Sequence, residues 1–94
     1  MNVQMEFTGI PRVVVGLRQV KLDVAADTTF RDIVRLLGVR YPQLIGEVIH
    51  TDGETLQASN MLNLNGQRMI QPAHLDECPG DGDRLILMSI LAGG

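Results

Sequence analysis

The sequence predicts an α+β roll, in which short strands form a sheet and one substantial helix covers one of its faces. Three observations predict it. Apolar and polar residues alternate over the first seven positions (Val3, Met5 and Phe7 against Asn2, Gln4 and Glu6) and again over 19–24 (Val20, Leu22 and Val24 against Gln19, Lys21 and Asp23), the period-two mark of half-buried strands. Over 29–41 the period switches to that of a helix. Further on, Asn65-Gly66 separates two apolar runs, and Arg84 to Leu91 is apolar on both faces, as a central strand is.

Taken in order, Gly9 and Pro11 end the first strand. Residues 12–18 are open to two readings, because Val13-Val14-Val15 can extend a strand before Gly16 interrupts it. The two alternating strands are expected to pair antiparallel through this elaborate connection rather than a tight turn. Phe30, Ile33, Val34, Leu37 and Tyr41 then fall at i, i+3, i+4, i+7 and i+11, one apolar helical stripe. Thr29 is placed as N-cap, with Asp32 completing a variant of the capping box; Asp27 and Thr28 also suit the positive end of the helix. Pro42 restricts Tyr41 and ends the helix. Gly38 costs about 1 kcal/mol relative to alanine, which predicts a frayed last turn.

Residues 43–60 read as a short helical turn carrying Leu44, Ile45, Val48 and Ile49, then a loop through Asp52-Gly53 and Ala58-Ser59-Asn60. Leu62 and Leu64 lead into the Asn65-Gly66 hairpin, whose two turn residues tolerate positive φ. Met69 and Ile70 lie on the return strand. Pro72 to Pro79 is a connector, and Gly80-Asp81-Gly82-Asp83 turns the chain into the last strand.

A chain of 94 residues is one domain, 1–94. Its formal charge of −3 argues against nucleic acid, which calls for clustered basic residues. With Phe7, Phe30 and Tyr41 as its only aromatics, the core must be filled by Leu, Val, Ile and Met. One cysteine cannot form an intramolecular disulfide and fits a reducing compartment. The first residues have no basic, apolar export pattern, and no stretch nears the roughly 18 apolar residues of a membrane span. A cytoplasmic protein without membrane contact is expected.

The catalytic inventory is thin. There is no glycine-rich phosphate loop, no metalloprotease pair and no nucleophile elbow. His74, Asp76 and Cys78, spaced two apart, could offer N, O and S ligands to zinc, but structural zinc takes four ligands and a solvated connector with a stray thiol is the simpler reading. Cys78 as a nucleophile is weaker, with Asp76 and Glu77 opposing a thiolate. His50 reads as a loop histidine. Arg31, Arg35 and Arg40 form the wet face of the helix, with pairing to an acidic partner as the alternative. No bound metal and no bound cofactor are expected.

The chain closes on Ser89-Ile90-Leu91-Ala92-Gly93-Gly94. Two terminal glycines arise by chance about once in 200 chains, and glycine is a costly way to end a strand. A frayed end that tolerates any residue is the bland alternative. Without Cβ atoms, however, Gly93 and Gly94 can thread a narrow channel and present the terminal carboxylate to a reactive phosphate. Six extended residues from Ser89 reach roughly 20 Å. An α-carboxyl with a pKa of about 3.3–3.7 is ionised at neutral pH and is a poor electrophile, so it needs activation as an acyl-adenylate. With no nucleotide site in the domain, an external enzyme must supply ATP and magnesium. The domain is then a substrate or carrier and not a catalyst.

These residues are recognisable as a set. Thr29-Phe30-Arg31-Asp32-Ile33, Tyr41-Pro42, Leu64-Asn65-Gly66, Asp81-Gly82-Asp83-Arg84-Leu85 and Ala92-Gly93-Gly94 resemble, in order and spacing, the ubiquitin-like sulfur carriers of the MoaD/ThiS family. The resemblance implies a β-grasp fold: a mixed sheet of four to five strands on one main helix, with a flexible tail over 89–94. It implies that Gly94 is adenylated by a ubiquitin-activating-type enzyme and converted to a thiocarboxylate, with sulfur from a donor such as a cysteine desulfurase. Leu91, Ala92 and Gly93 would be read by partners. The open sheet face, with Phe7, Met88 and Ile90 assigned to it, would dock them, although the same positions could be core.

The pathway implied first is molybdopterin synthesis, with this chain as the non-catalytic small subunit beside a large synthase subunit. Thiamine or cysteine synthesis and protein modification are the alternatives within the class. Outside it stand a β-grasp interaction module that never uses its carboxylate, and a small zinc protein.

Overall fold

The computed structural model describes residues 1–89. One five-stranded mixed sheet has the order β2-β1-β5-β3-β4, with β1 Asn2–Phe7, β2 Gln19–Asp23, β3 Asn60–Leu64, β4 Arg68–Ile70 and β5 Arg84–Ser89. Two helices join it, α1 Ile10–Val15 and α2 Phe30–Arg40. β1 and β2 are antiparallel, in register from Asn2 opposite Asp23 to Glu6 opposite Gln19. β1 and β5 are parallel. β3 lies antiparallel to both β5 and β4. The doubly apolar last strand is therefore central, as its sequence implies.

α2 forms where its stripe predicts. Thr29 Oγ1 accepts the Asp32 N–H at 3.0 Å, and an Asp32 carboxylate oxygen accepts the Thr29 N–H at 3.1 Å, so both halves of the capping box are made. Phe30, Ile33, Val34 and Leu37 are buried against the sheet. The helix runs regularly to Arg40, so the fraying expected from Gly38 is absent. A Cβ at Gly38 would lie 2.9 Å from Ile45 Cδ1; the glycine admits the segment after the helix. That segment is a 3-10 turn over Pro42–Leu44 followed by a loop pinned by the buried Leu44, Val48 and Ile49. The Pro72–Pro79 connector also holds a 3-10 turn, Pro72–His74, and buries Leu75.

Residues 10–15 are helical, which removes the strand reading of Val13-Val14-Val15. Pro11 in the first turn gives up an N–H the helix does not need. Gly16 closes α1 in the left-handed region, its N–H donating to Arg12 O at 2.8 Å. Val13 is 83% exposed, so no strand pairing competes for it. The chain rejoins the sheet where Phe7 N–H donates to Arg18 O.

The core lies between α2 and one sheet face. Val3, Met5 and Phe7 from β1, Leu22, Leu62, Ile70, Leu85 and Leu87 from the other strands, and the α2 stripe all enclose it. Among the described residues no polar or charged residue is fully buried. Each such aliphatic or aromatic side chain contributes about 2 kcal/mol by leaving water. Among the described residues no helix is long and apolar enough to cross a membrane.

Candidate functional site: the exit of the central strand and the open sheet face

The strand that leads toward the terminal glycines is hydrogen-bonded on both sides, to β1 and to β3. Its last described residue, Ser89, belongs to this strand rather than to a tail beginning at 89. The Ser89 hydroxyl accepts the Ile10 N–H at 3.1 Å, and Thr8 N–H donates to Leu87 O at 3.0 Å. The start of α1 thus clasps the end of β5. Gly9 makes the clasp possible: at φ +63 and ψ −137, a Cβ there would collide with Ser89 Oγ. Ile90, Leu91, Ala92, Gly93 and Gly94, expected to carry the chemistry and its recognition, lie outside the described residues.

Phe7 does not belong to a docking face. It is 2% exposed, packed in the core and set edge-on to Tyr41 with ring centroids 5.8 Å apart. The reason is alternation: Phe7 shares its face with Val3 and Met5, and α2 covers that face. Met88 is half-buried and stands on the opposite face, alternating with the buried Leu85 and Leu87.

Strand register brings more residues to Met88. Met61 lies directly across from it, and Ile86 faces Asn63, which faces Met69. Met61, Met69, Ile86 and Met88 are all half-buried and form an apolar strip over β3, β4 and β5. Methionine is flexible and polarisable, suiting a surface that must fit a partner. Asn63 Nδ2 donates to Met69 Sδ at 3.5 Å, while Asn63 Oδ1 is buried with no partner among the described residues. Toward β2 the same face turns polar, with Arg84 paired to Glu6 at 3.3 Å and Gln4 bonded to Gln19 at 2.7 Å. Sequence reasoning missed Met61, Met69 and Ile86. Alternation along 84–89 would have put Ile86 beside Met88, but no local signal places Met61 and Met69 beside them.

Two of the three helix arginines, Arg31 and Arg35, are committed to acidic partners within the chain, while Arg40 lies over the Tyr41 ring, 5.6 Å from its centroid. Arg31 pairs with Asp76 at 2.8 Å and Glu54 at 3.6 Å, and Arg35 with Glu54 at 2.6 Å and Asp32 at 3.2 Å. The hydrogen bond to Arg31, reinforced by its charge, holds the Asp76 carboxyl below the ordinary range. Bonds from Thr29, with the Arg35 charge behind them, do the same for Asp32. Asp76 is thereby drawn away from any zinc set. His74 Nδ1 accepts the Gln71 N–H at 3.2 Å, and Cys78 Sγ lies 3.6 Å from Asp27 O. Among the described residues no three His, Cys, Asp or Glu side chains gather as a metal site.

One helix laid over a five-stranded sheet, with parallel first and last strands at its centre, defines a ubiquitin-like β-grasp protein. No protein-family model matches the chain. Small archaeal modifier protein 3 of Haloferax volcanii is 31% identical over 94 residues, covering 100% of each chain. Small archaeal modifier protein 1 of the same organism is 36% identical over 81 residues, which is 86% of this chain and 87% of the relative. The crystal structure of SAMP1 from Haloferax volcanii matches with a TM-score of 0.82 and 29% identity over 100% of both chains. The chain belongs to this ubiquitin-like carrier and modifier family, with the small archaeal modifier proteins. A chain from the complex of subunits 1 and 2 of molybdopterin-converting factor of Helicobacter pylori matches over 100% of both chains with a TM-score of 0.63; at 17% identity it shares the fold alone.

Proposed function

We propose that this chain works through the carboxylate of Gly94, which an external ubiquitin-activating-type enzyme adenylates with ATP and magnesium, and that the domain itself performs no catalysis. Sulfur from a donor such as a cysteine desulfurase then gives a thiocarboxylate. One observation carries the reading: full-length kinship with a small archaeal modifier protein in a chain that ends in Gly93-Gly94. Gly93, Ala92 and Leu91 are the tail residues a partner would read. Met88, with Met61, Met69 and Ile86, is the surface it would rest on, and Ile90 remains part of the proposal on sequence grounds.

The carrier supplies sulfur to an acceptor synthase, the molybdopterin synthase large subunit being the acceptor the sequence resemblance favours. Kinship with the modifier proteins favours a second use of the same carboxylate, amide formation with a protein amine. Intact-mass measurement after incubation with ATP, magnesium, the activating enzyme and a sulfur donor tests the reading. Exchange of one oxygen for sulfur at Gly94 is the expected result. An unchanged mass with an active enzyme and donor would instead leave a β-grasp interaction module. Deleting Gly94 is expected to abolish the exchange and leave thermal stability nearly unaltered, because a chain end contributes little to folding.

A further inference from the structure

The sequence holds eight basic residues, and seven are arginine; Lys21 is the sole lysine. This matters for a chain with an activated carboxylate, since an acyl-adenylate reacts with any free amine within reach. The arginine guanidinium stays protonated and does not attack. The α-amino group of Met1 is engaged within the chain, donating to Val24 O at 2.8 Å and facing Asp23 at 3.7 Å. Lys21 differs. It is exposed on β2, an outer strand, and among the described residues it makes no ion pair.

Its place on the sheet also separates it from its own tail. Lys21 stands opposite Gln4, and Gln4 opposite Arg84, so it is level with the first residue of β5. The chain leaves β5 past Ser89, roughly 17 Å further along at about 3.4 Å per residue. Returning from Ser89 to Lys21 means running back that length and passing β1, the strand between β5 and β2. The tail of a second copy meets no such obstacle.

We propose that Lys21 is the one position at which this chain accepts the activated Gly94 of a second copy, so that its self-conjugates are linear and Lys21-linked. The inference rests on the carboxylate chemistry proposed above. Lys21 Nζ attacks the Gly94 carbonyl carbon; the new C–N bond forms as the bond to the adenylate oxygen breaks. AMP leaves with that electron pair and the amine proton passes to solvent. ATP is the co-reactant, and with one acceptor per copy no branch can form.

The full chain is incubated with ATP, magnesium and the activating-type enzyme from the same genome, without a sulfur donor. ATP–pyrophosphate exchange is followed in the same samples. The expected result is exchange together with a ladder of conjugates. Trypsin should release peptide 19–31 uncut at Lys21 and carrying residues 85–94. Lys21→Arg, which keeps the charge at an exposed site, should retain exchange and melting temperature yet lose the ladder. Exchange without conjugates, conjugates that survive Lys21→Arg, linkage through Met1, or a cyclised monomer one water lighter would each overturn the assignment. Absence of exchange with an enzyme active on its own substrate would overturn the underlying carboxylate reading, and this inference with it.

Discussion

Gly9 occupies backbone space that other residues enter only under strain, at φ +63 and ψ −137. Ser89 Oγ fills the volume a side chain would need. Gly9→Ala is expected to destabilise the fold by about 1–3 kcal/mol, seen as a lower urea midpoint. Adding Ser89→Gly should recover the steric share of that loss and leave the backbone share. An unchanged midpoint in the single variant would show that the clasp between α1 and β5 does not constrain Gly9. Acid should act through other single residues. Asp32, Asp52 and Asp76 are all held below their ordinary value of 3.8 by hydrogen bonds, from Thr29, from the Glu54 N–H with Thr55, and from Arg31 respectively. A depressed folded value means each stabilises the fold above 3.8, and that stabilisation drains away as pH falls through the folded value. Urea midpoints should thus decline below pH 3.8, and less steeply in Asp76→Asn. A variant as acid-sensitive as the parent would exclude Asp76 as a source.

Among elements, α2 shows what short-range chemistry can specify. Its cap, stripe and stop sit within fourteen consecutive residues, 29–42, and every one of those features was legible in the sequence. Thr29→Ala is expected to cost about 1 kcal/mol, measured by thermal melts, with a null effect meaning that packing alone holds the first turn. The last strand was legible too, because apolar side chains on both of its faces point to a central place in the sheet, where β5 lies. α1 was not. Three consecutive valines favour a strand by local preference, and what overrides them is distant: the Ser89 hydroxyl receiving Ile10 N–H, and a sheet whose register resumes only at Gln19. Phe7 failed similarly. Its alternation with Val3 and Met5 was plain, yet which face α2 covers is decided by a crossover between strands forty residues apart, roughly the β2–β3 separation.

At the scale of the molecule, the roll and its single main helix followed from element order, whereas the methionine strip is assembled by pairing three strands far apart in sequence. Met61, Met69 and Met88 meet only in the folded sheet. Met88→Glu places a charge on that strip and is expected to weaken binding to the activating enzyme about tenfold or more, near 1.4 kcal/mol. Thermal stability should change little, since the residue faces away from the core. Equal affinity by calorimetry would move the docking surface elsewhere.

The parallel pairing of β1 and β5 has a mechanical consequence. β1 begins near one end of the sheet and β5 leaves at the other, so tension applied between Met1 and the chain beyond Ser89 pulls these neighbours lengthwise past each other. Their hydrogen bonds then bear the load together instead of opening one at a time like a zipper. A machine hauling on anything joined to this domain's trailing end would meet a brittle, shear-resistant clamp that gives way all at once.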